Sequence, residues 1–161
     1  MQEKKKVDNE LKIWKSWQAD WNKFAFDVLG ARLDNDQKAI LSAVQKNKMV
    51  SVVSGTARGK DYISAVACLC FLYLTPRWEN DVLVENTKVA MTAPTDRQVG
   101  NIMFPEISRL FTKAKVLPGR LTGYDIRTTE REWFLTGFKA DEYNHEAWSG
   151  FHAANTMFVV T

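Results

Sequence analysis

Val52-Val53-Ser54-Gly55-Thr56-Ala57-Arg58-Gly59-Lys60-Asp61 is the stretch on which the reading of this chain turns. Two β-branched residues lead into a turn of small residues that closes on Gly-Lys, and an apolar run follows to about Leu74. That order predicts a strand, a tight loop and a helix. Glycines let main-chain N–H groups curl around an anion. A lysine at the end of the loop reaches outer phosphates, and the helix N-terminus adds partial positive charge. The layout is that of a phosphate-binding loop, whose usual ligand is a nucleoside triphosphate.

The usual pattern, G-x-x-x-x-G-K-[ST], is broken at two positions. Ser54 stands at the first glycine, and Asp61 stands where a hydroxyl residue normally holds Mg2+. Small neighbours keep a tight turn open at Ser54. Asp61 reads either as an oxygen ligand for Mg2+ or as a helix-start carboxylate favoured by the dipole. As a ligand it also sets negative charge close to phosphate oxygens. Lys60 reads as the phosphate-contacting residue or as a solvated lysine at a helix start. Gly55 and Gly59 serve the turn under both readings.

Upstream, Met1 to Val7 reads as a lysine-rich mobile tail. From about Asn9 to Leu29, Leu11, Trp14, Trp17, Trp21, Phe24 and Val28 recur at helical spacing. Gly30 stops that helix, and its aromatic stripe reads as packing surface more readily than as a base-stacking platform. A second helix is expected from Asp36 to Lys46, capped by Asn35 or Asp34. Gln37, early in it, carries an amide able to donate and accept toward a base; the alternative is a surface glutamine.

Downstream, Thr75-Pro76-Arg77 breaks the helix, and Thr87 to Thr92 reads as a strand. Ala93-Pro94-Thr95 turns into another helix with Thr95 as N-cap. Val99, Ile102, Met103, Ile107, Leu110 and Phe111 form its buried face, and Pro105 is expected to kink it. Thr95, Arg97 and Gln98 follow a central strand, where they read as a coupling element or simply as a cap. Short strands are expected at 125–129 and 132–136, irregular chain from Asp141 to Asn155, and a buried parallel strand at Thr156–Val160. Alternation of strands and helices predicts a three-layer α/β domain with a parallel sheet, whose ligand site lies outside the carboxyl ends of the strands.

With 161 residues the chain has the length of one domain, and 45% hydrophobic with 25% charged residues is globular composition. A net charge of +3 permits nucleic-acid contact without arguing for it. Lys113, Lys115, Arg120, Arg127 and Arg131 read as a DNA-facing patch or, more plainly, as solvated surface. Cys68 and Cys70 sit in the apolar run and read as buried thiols of a reducing compartment. His145 and His152 lack partners at metal-ligand spacing. No signal peptide or membrane-length run is present, so a cytoplasmic location is expected.

Four stretches in order resemble one family. FAFDVLGARLDNDQKAIL (24–41), VVSGTARGKD (52–61), VAMTAPTDRQVGNIMFPEI (89–107) and WSGFHAANTMFVV (148–160) are similar to segments of the N-terminal ATPase domain of large terminase subunits, the DNA-packaging motors of tailed bacteriophages. The resemblance spans about Phe24 to Val160. It implies a P-loop NTPase-like fold of RecA/ASCE type with a mainly parallel central sheet. On that resemblance residues 1–30 form an N-terminal helical segment and 31–161 an ATPase domain.

The resemblance further implies ATP and Mg2+ as cofactors. Ser54, Gly55, Thr56, Ala57, Arg58, Gly59, Lys60 and Asp61 would hold the phosphates, Gln37 would touch adenine, and Asp61 would meet the metal. Arg58 and Lys60 take the catalytic roles, Arg58 by sensing or stabilising the γ-phosphate; as a residue alone it reads equally as an exposed arginine. Implied partners are double-stranded DNA, a portal protein, a small terminase subunit and further copies in a homo-oligomeric ring, with no membrane. In the family the last strand ends in an Asp-Glu pair. Thr161 falls on or beside the Asp, so the expectation is a fragment that binds nucleotide weakly and hydrolyses it poorly. The rival readings are an ATP-dependent helicase or translocase core and a non-catalytic nucleotide-binding or DNA-docking module.

Overall fold

The apolar run after the Gly-Lys pair becomes the central helix of the molecule. In α4 (Lys60–Leu74), Ile63 and every residue from Ala65 to Cys70 are buried. An apolar helix must be covered, and this one is, save for the face of Ser64 and Phe71 that borders a groove. It packs against α2 (Trp21–Asp27), α3 (Asn35–Lys46) and α6 (Phe104–Ala114), and against strands β3 (Thr87–Ala93), β6 (Phe134–Lys139) and β7 (Asn155–Val160). The computed structural model describes residues 1–55, 59–139 and 151–161.

The main sheet has five strands in the order β4-β5-β6-β3-β7, with β4 at Arg120–Thr122 and β5 at Asp125–Arg127. β3 runs parallel to both neighbours, with Val89 opposite Leu135 on one side and Met157 on the other. β4, β5 and β6 pair antiparallel. The sheet is therefore mixed, parallel only at β6-β3-β7, where a mainly parallel one was expected. The residues from 115 to 133 return as a short meander instead of crossing over through a helix, which leaves those strands antiparallel.

The expected three layers are two among the described residues. α4 and α6 touch each other and so share one face of the sheet, over Val89, Met91 and Leu135. On the other face the Phe151 ring packs on Phe134, Phe138 and Phe158. A separate two-stranded hairpin, β1 (Arg77–Glu79) and β2 (Val82–Glu85), was not foreseen. Its turn places Asn80 and Asp81 at φ 49° and 61°, the left-handed pair that such hairpins need. Trp78 and Tyr73 both pack edge-on to Trp133, whose indole N–H donates to the carbonyl of Leu72 at 2.7 Å.

Several other boundaries differ from expectation. The lysine-rich start is helical: α1 spans Gln2–Ala19, with no buried residue. The single helix expected from Asn9 to Leu29 breaks at Asp20, whose extended backbone and side chain cap α2 through the Asn22 N–H at 3.0 Å. The stripe packs inward only from Trp14 onward, Trp21 and Phe24 being buried and Trp17 lying edge-on to Phe24, whereas Leu11 is 50% exposed. Thr95 caps α5 (Asp96–Gln98), and a π-helical turn at Val99–Met103 separates it from α6. Pro105 lies in the first turn of α6, so the irregularity precedes it; the Phe104 N–H reaches back to the Val99 carbonyl.

Two corrections bear on function. Val52-Val53 forms no strand. Residues 48–55 are irregular, with Val53 96% exposed, because among the described residues no strand lies close enough to pair with them. The last strand is parallel as expected but stands at the sheet edge instead of being buried, with Val160 70% exposed.

Candidate functional site

α4 runs against the direction of β3 and β7. At its C-terminal end Thr75 Oγ1 bonds Thr87 Oγ1 at 2.7 Å, and Asn155 Nδ2 donates to the Thr75 carbonyl at 3.1 Å, both at the starts of those strands. The Lys60 end of α4 therefore stands at the carboxyl ends of the parallel strands, where α/β sheets place ligands.

The N-terminus of α4 follows a left-handed glycine. Gly59 sits at φ 70°, ψ 28°, a conformation that favours glycine, and no side chain caps the helix. Lys60 Nζ donates to the Ser54 carbonyl at 2.9 Å, which ties the two ends of the loop together. Across from it Asp34 and Gln37 form a reciprocal capping box at the start of α3: Asp34 Oδ1 accepts from the Gln37 N–H at 2.8 Å, and Gln37 Oε1 accepts from the Asp34 N–H at 3.1 Å. The free end of that amide points at the loop. A Cβ on Gly59 would stand 2.7 Å from Gln37 Nε2.

These residues enclose a cavity of about 280 Å3 lined by Asp34, Asp36, Gln37, Ser54, Gly55 and Lys60 among others. Asp61 lies on the far side of Lys60, in a larger groove that it shares with Val160 and Thr161. Of the anticipated site, Gln37, Ser54, Gly55, Gly59 and Lys60 are thus brought together, and Asp61 flanks them. Thr56, Ala57 and Arg58 lie outside the described residues, as does His145.

The donor set fits a phosphate better than it fits a protein-caged metal. Uncapped first-turn N–H groups and the Lys60 ammonium converge at the loop, whereas among the described residues no group of three or more His, Cys, Asp and Glu could hold a metal. Mg2+ keeps several waters and takes one or two carboxylates together with substrate phosphates, a mode open to Asp61 beside the cavity and to Asp36 in its wall.

Asp34 and Asp36 were not anticipated as cavity walls. The Asp-x-x-Gln capping-box spacing is the signal that tied Asp34 to Gln37. Thr95, Arg97 and Gln98 line neither the cavity nor the groove. Lys113, Lys115, Arg120, Arg127 and Arg131 are exposed. Lys113 donates to the Gly30 carbonyl, and Arg127 pairs with Asp125 while lying 4.2 Å over the Phe134 ring. His152 is exposed ahead of β7. Among the described residues no helix is long and apolar enough to cross a membrane. Comparison of the chain with protein-family models, curated proteins and solved structures finds no match.

Proposed function

We propose that the chain is the ATP-binding motor domain of a DNA-packaging large terminase, with a RecA-like sheet. The observation that carries the reading is that Lys60 and Gln37 line one small cavity at the carboxyl end of a parallel sheet centre, with Gly59 close against the Gln37 amide. The quoted resemblance supplies the family. Partners on this reading are double-stranded DNA, a portal protein, a small terminase subunit and sister copies in a ring, in the cytoplasm of a bacterial host.

On this reading the α4 N-terminus and Lys60 bind and orient the phosphate tail. Lys60 exchanges its bond to the Ser54 carbonyl for phosphate oxygens, a stronger charge-assisted pairing. Gln37 keeps its Oε1 in the capping box and offers Nε2 as a donor to the base. Asp61 holds water or Mg2+ beside the phosphates, and Arg58 spreads the charge at the terminal phosphate. Bound ATP supplies the phosphoryl group whose transfer to water drives movement, a reaction that the protein serves by positioning and charge stabilisation.

One feature favours the non-catalytic nucleotide-binding module as second reading: Asp34 and Asp36 set two carboxylates against one ammonium in the cavity wall. Calorimetric titration with ATP, with and without Mg2+, separates the two. The motor reading expects Mg2+-dependent binding that Lys60→Ala and Gln37→Ala each weaken at least tenfold. Equal affinity in wild type and both variants would overturn it, and binding indifferent to Mg2+ would favour the docking module.

A further inference from the structure

The side-chain amide of Gln37 has two ends, and one of them is already taken. Oε1 accepts from the Asp34 main-chain N–H at 3.1 Å. A main-chain N–H only donates, so the atom facing it is the oxygen, and this fixes which way round the amide sits. Nε2 stands at the loop, so near Gly59 that a Cβ there would lie 2.7 Å from it. In the cavity that Gln37 shares with Lys60, the amide therefore presents its donor, while its acceptor is committed to the start of α3.

That asymmetry decides what the amide can read on a base. An amide with both ends free pairs with adenine through N6–H2 and N7 together, and it rejects guanine, whose O6 would face the amide oxygen. With Oε1 committed, the remaining donor has only an acceptor to find, and N7 is an acceptor on adenine and guanine alike. To reach N6 as well, the amide would give up the Asp34 N–H and exchange one hydrogen bond for another of similar net worth. Adenine gains no advantage from that exchange. Asp34 and Asp36 in the cavity wall do not supply one either. A carboxylate accepts from an exocyclic amine, and adenine carries one at N6 where guanine carries one at N2.

Resting on the nucleotide reading above, we propose that the cavity takes purine nucleoside triphosphates through one donor to N7, with no preference for adenine over guanine. Gln37 then separates purines from pyrimidines, which have no N7. Its bond to Asp34 keeps the two purines equivalent. Asp34→Pro removes that bond at its source. Asp34 sits at φ −74°, ψ 176°, which proline adopts, and proline has no N–H to hold Oε1. The freed amide can then pair with adenine through both of its ends.

Calorimetric titration of the whole chain in Mg2+ tests this with ATP, GTP, UTP and the 7-deaza forms of both purine nucleotides. ATP and GTP should bind within about threefold of each other, since no group is left unpaired by either. Each 7-deaza form should bind about fivefold more weakly than its parent, the loss of one neutral hydrogen bond, and UTP at least as weakly. Gln37→Ala should erase the difference between parent and 7-deaza form. Asp34→Pro should bring out a preference for ATP of about fivefold. A larger preference for either purine in the wild type would overturn the proposal and leave the nucleotide reading standing, as would 7-deaza forms that bind like their parents. An unchanged ratio in a folded Asp34→Pro would overturn the role given to the Asp34 bond. Failure of every nucleotide to bind would overturn the proposal together with the reading beneath it.

Discussion

Lys60 Nζ donates to the main-chain carbonyl of Ser54 at 2.9 Å, so the lysine expected to reach a phosphate is engaged by its own loop. The bond spans the turn and holds it curled. On the proposed reading, a ligand phosphate would replace that carbonyl, and the loop would lose an internal tie as it gained a ligand.

Truncating this lysine therefore separates two effects. Lys60→Ala should lower stability by about 1 kcal/mol, the net worth of one partly exposed hydrogen bond, as read by urea denaturation. ATP affinity should fall far more, and Lys60→Arg should restore the fold's stability without restoring affinity, because the guanidinium is wider and planar.

At Gly59 the backbone and the neighbour both resist a side chain. Gly59→Ala should cost roughly 1–2 kcal/mol for the left-handed backbone, with a further penalty from the contact with Gln37 Nε2. Adding Gln37→Ala removes the contact but leaves the strain. A double-mutant cycle in chemical denaturation should thus show a coupling of about 0.5 kcal/mol or more, and strict additivity would deny the contact.

Alkaline stability should depend on the two buried thiols. Burial pushes the Cys68 thiol from 9.0 up to about 12, and Cys70 rises well above its ordinary value. A raised thiol holds its proton in the folded state after the unfolded chain has released it. Its contribution is thus complete below pH 9.0 and is lost as pH rises toward about 12. Stability should fall above pH 9.0 by about 1.4 kcal/mol per pH unit for each thiol, with Tyr73, also raised by burial, adding to the slope further up. Cys68→Ala should flatten that slope measurably in denaturation curves taken between pH 8 and 11 (a range of about 3 units).

Lys88 is buried at the start of β3, with its ammonium 2.6 Å from the exposed carboxylate of Glu132 and 5.5 Å from the Phe134 ring centre. The hydrogen bond from Lys88 holds the Glu132 carboxyl below its usual range. That stabilisation is present above the ordinary glutamate value and is lost as the solution is acidified through the lowered one. Glu132→Ala should destabilise more than Lys88→Met, since only the first leaves a buried charge without its partner. Thermal melts of the two variants at neutral pH give the ranking directly.

How much of this was legible beforehand varies with the range of the interactions involved. The helix from Lys60 to Leu74, the cap at Thr95, the strand at Thr87–Ala93 and the turn at Gly59 depend on neighbours a few residues away, and sequence pattern reached all of them. Gln37 and Lys60 were singled out as site residues, but their meeting depends on how α3 packs on α4. The hairpin at Asn80-Asp81 carried a readable turn signal that went unused.

What the residues determined alone is local: an apolar helix after a glycine turn, a lysine at its start, a β-prone run at each side. Whether a β-prone run becomes a strand was settled by tertiary structure. Thr87–Ala93 found neighbours on both sides and is wholly buried, whereas Val52-Val53 has the same propensity and found none. A strand's hydrogen bonds lie outside itself, so its formation depends on a partner that its own sequence does not contain.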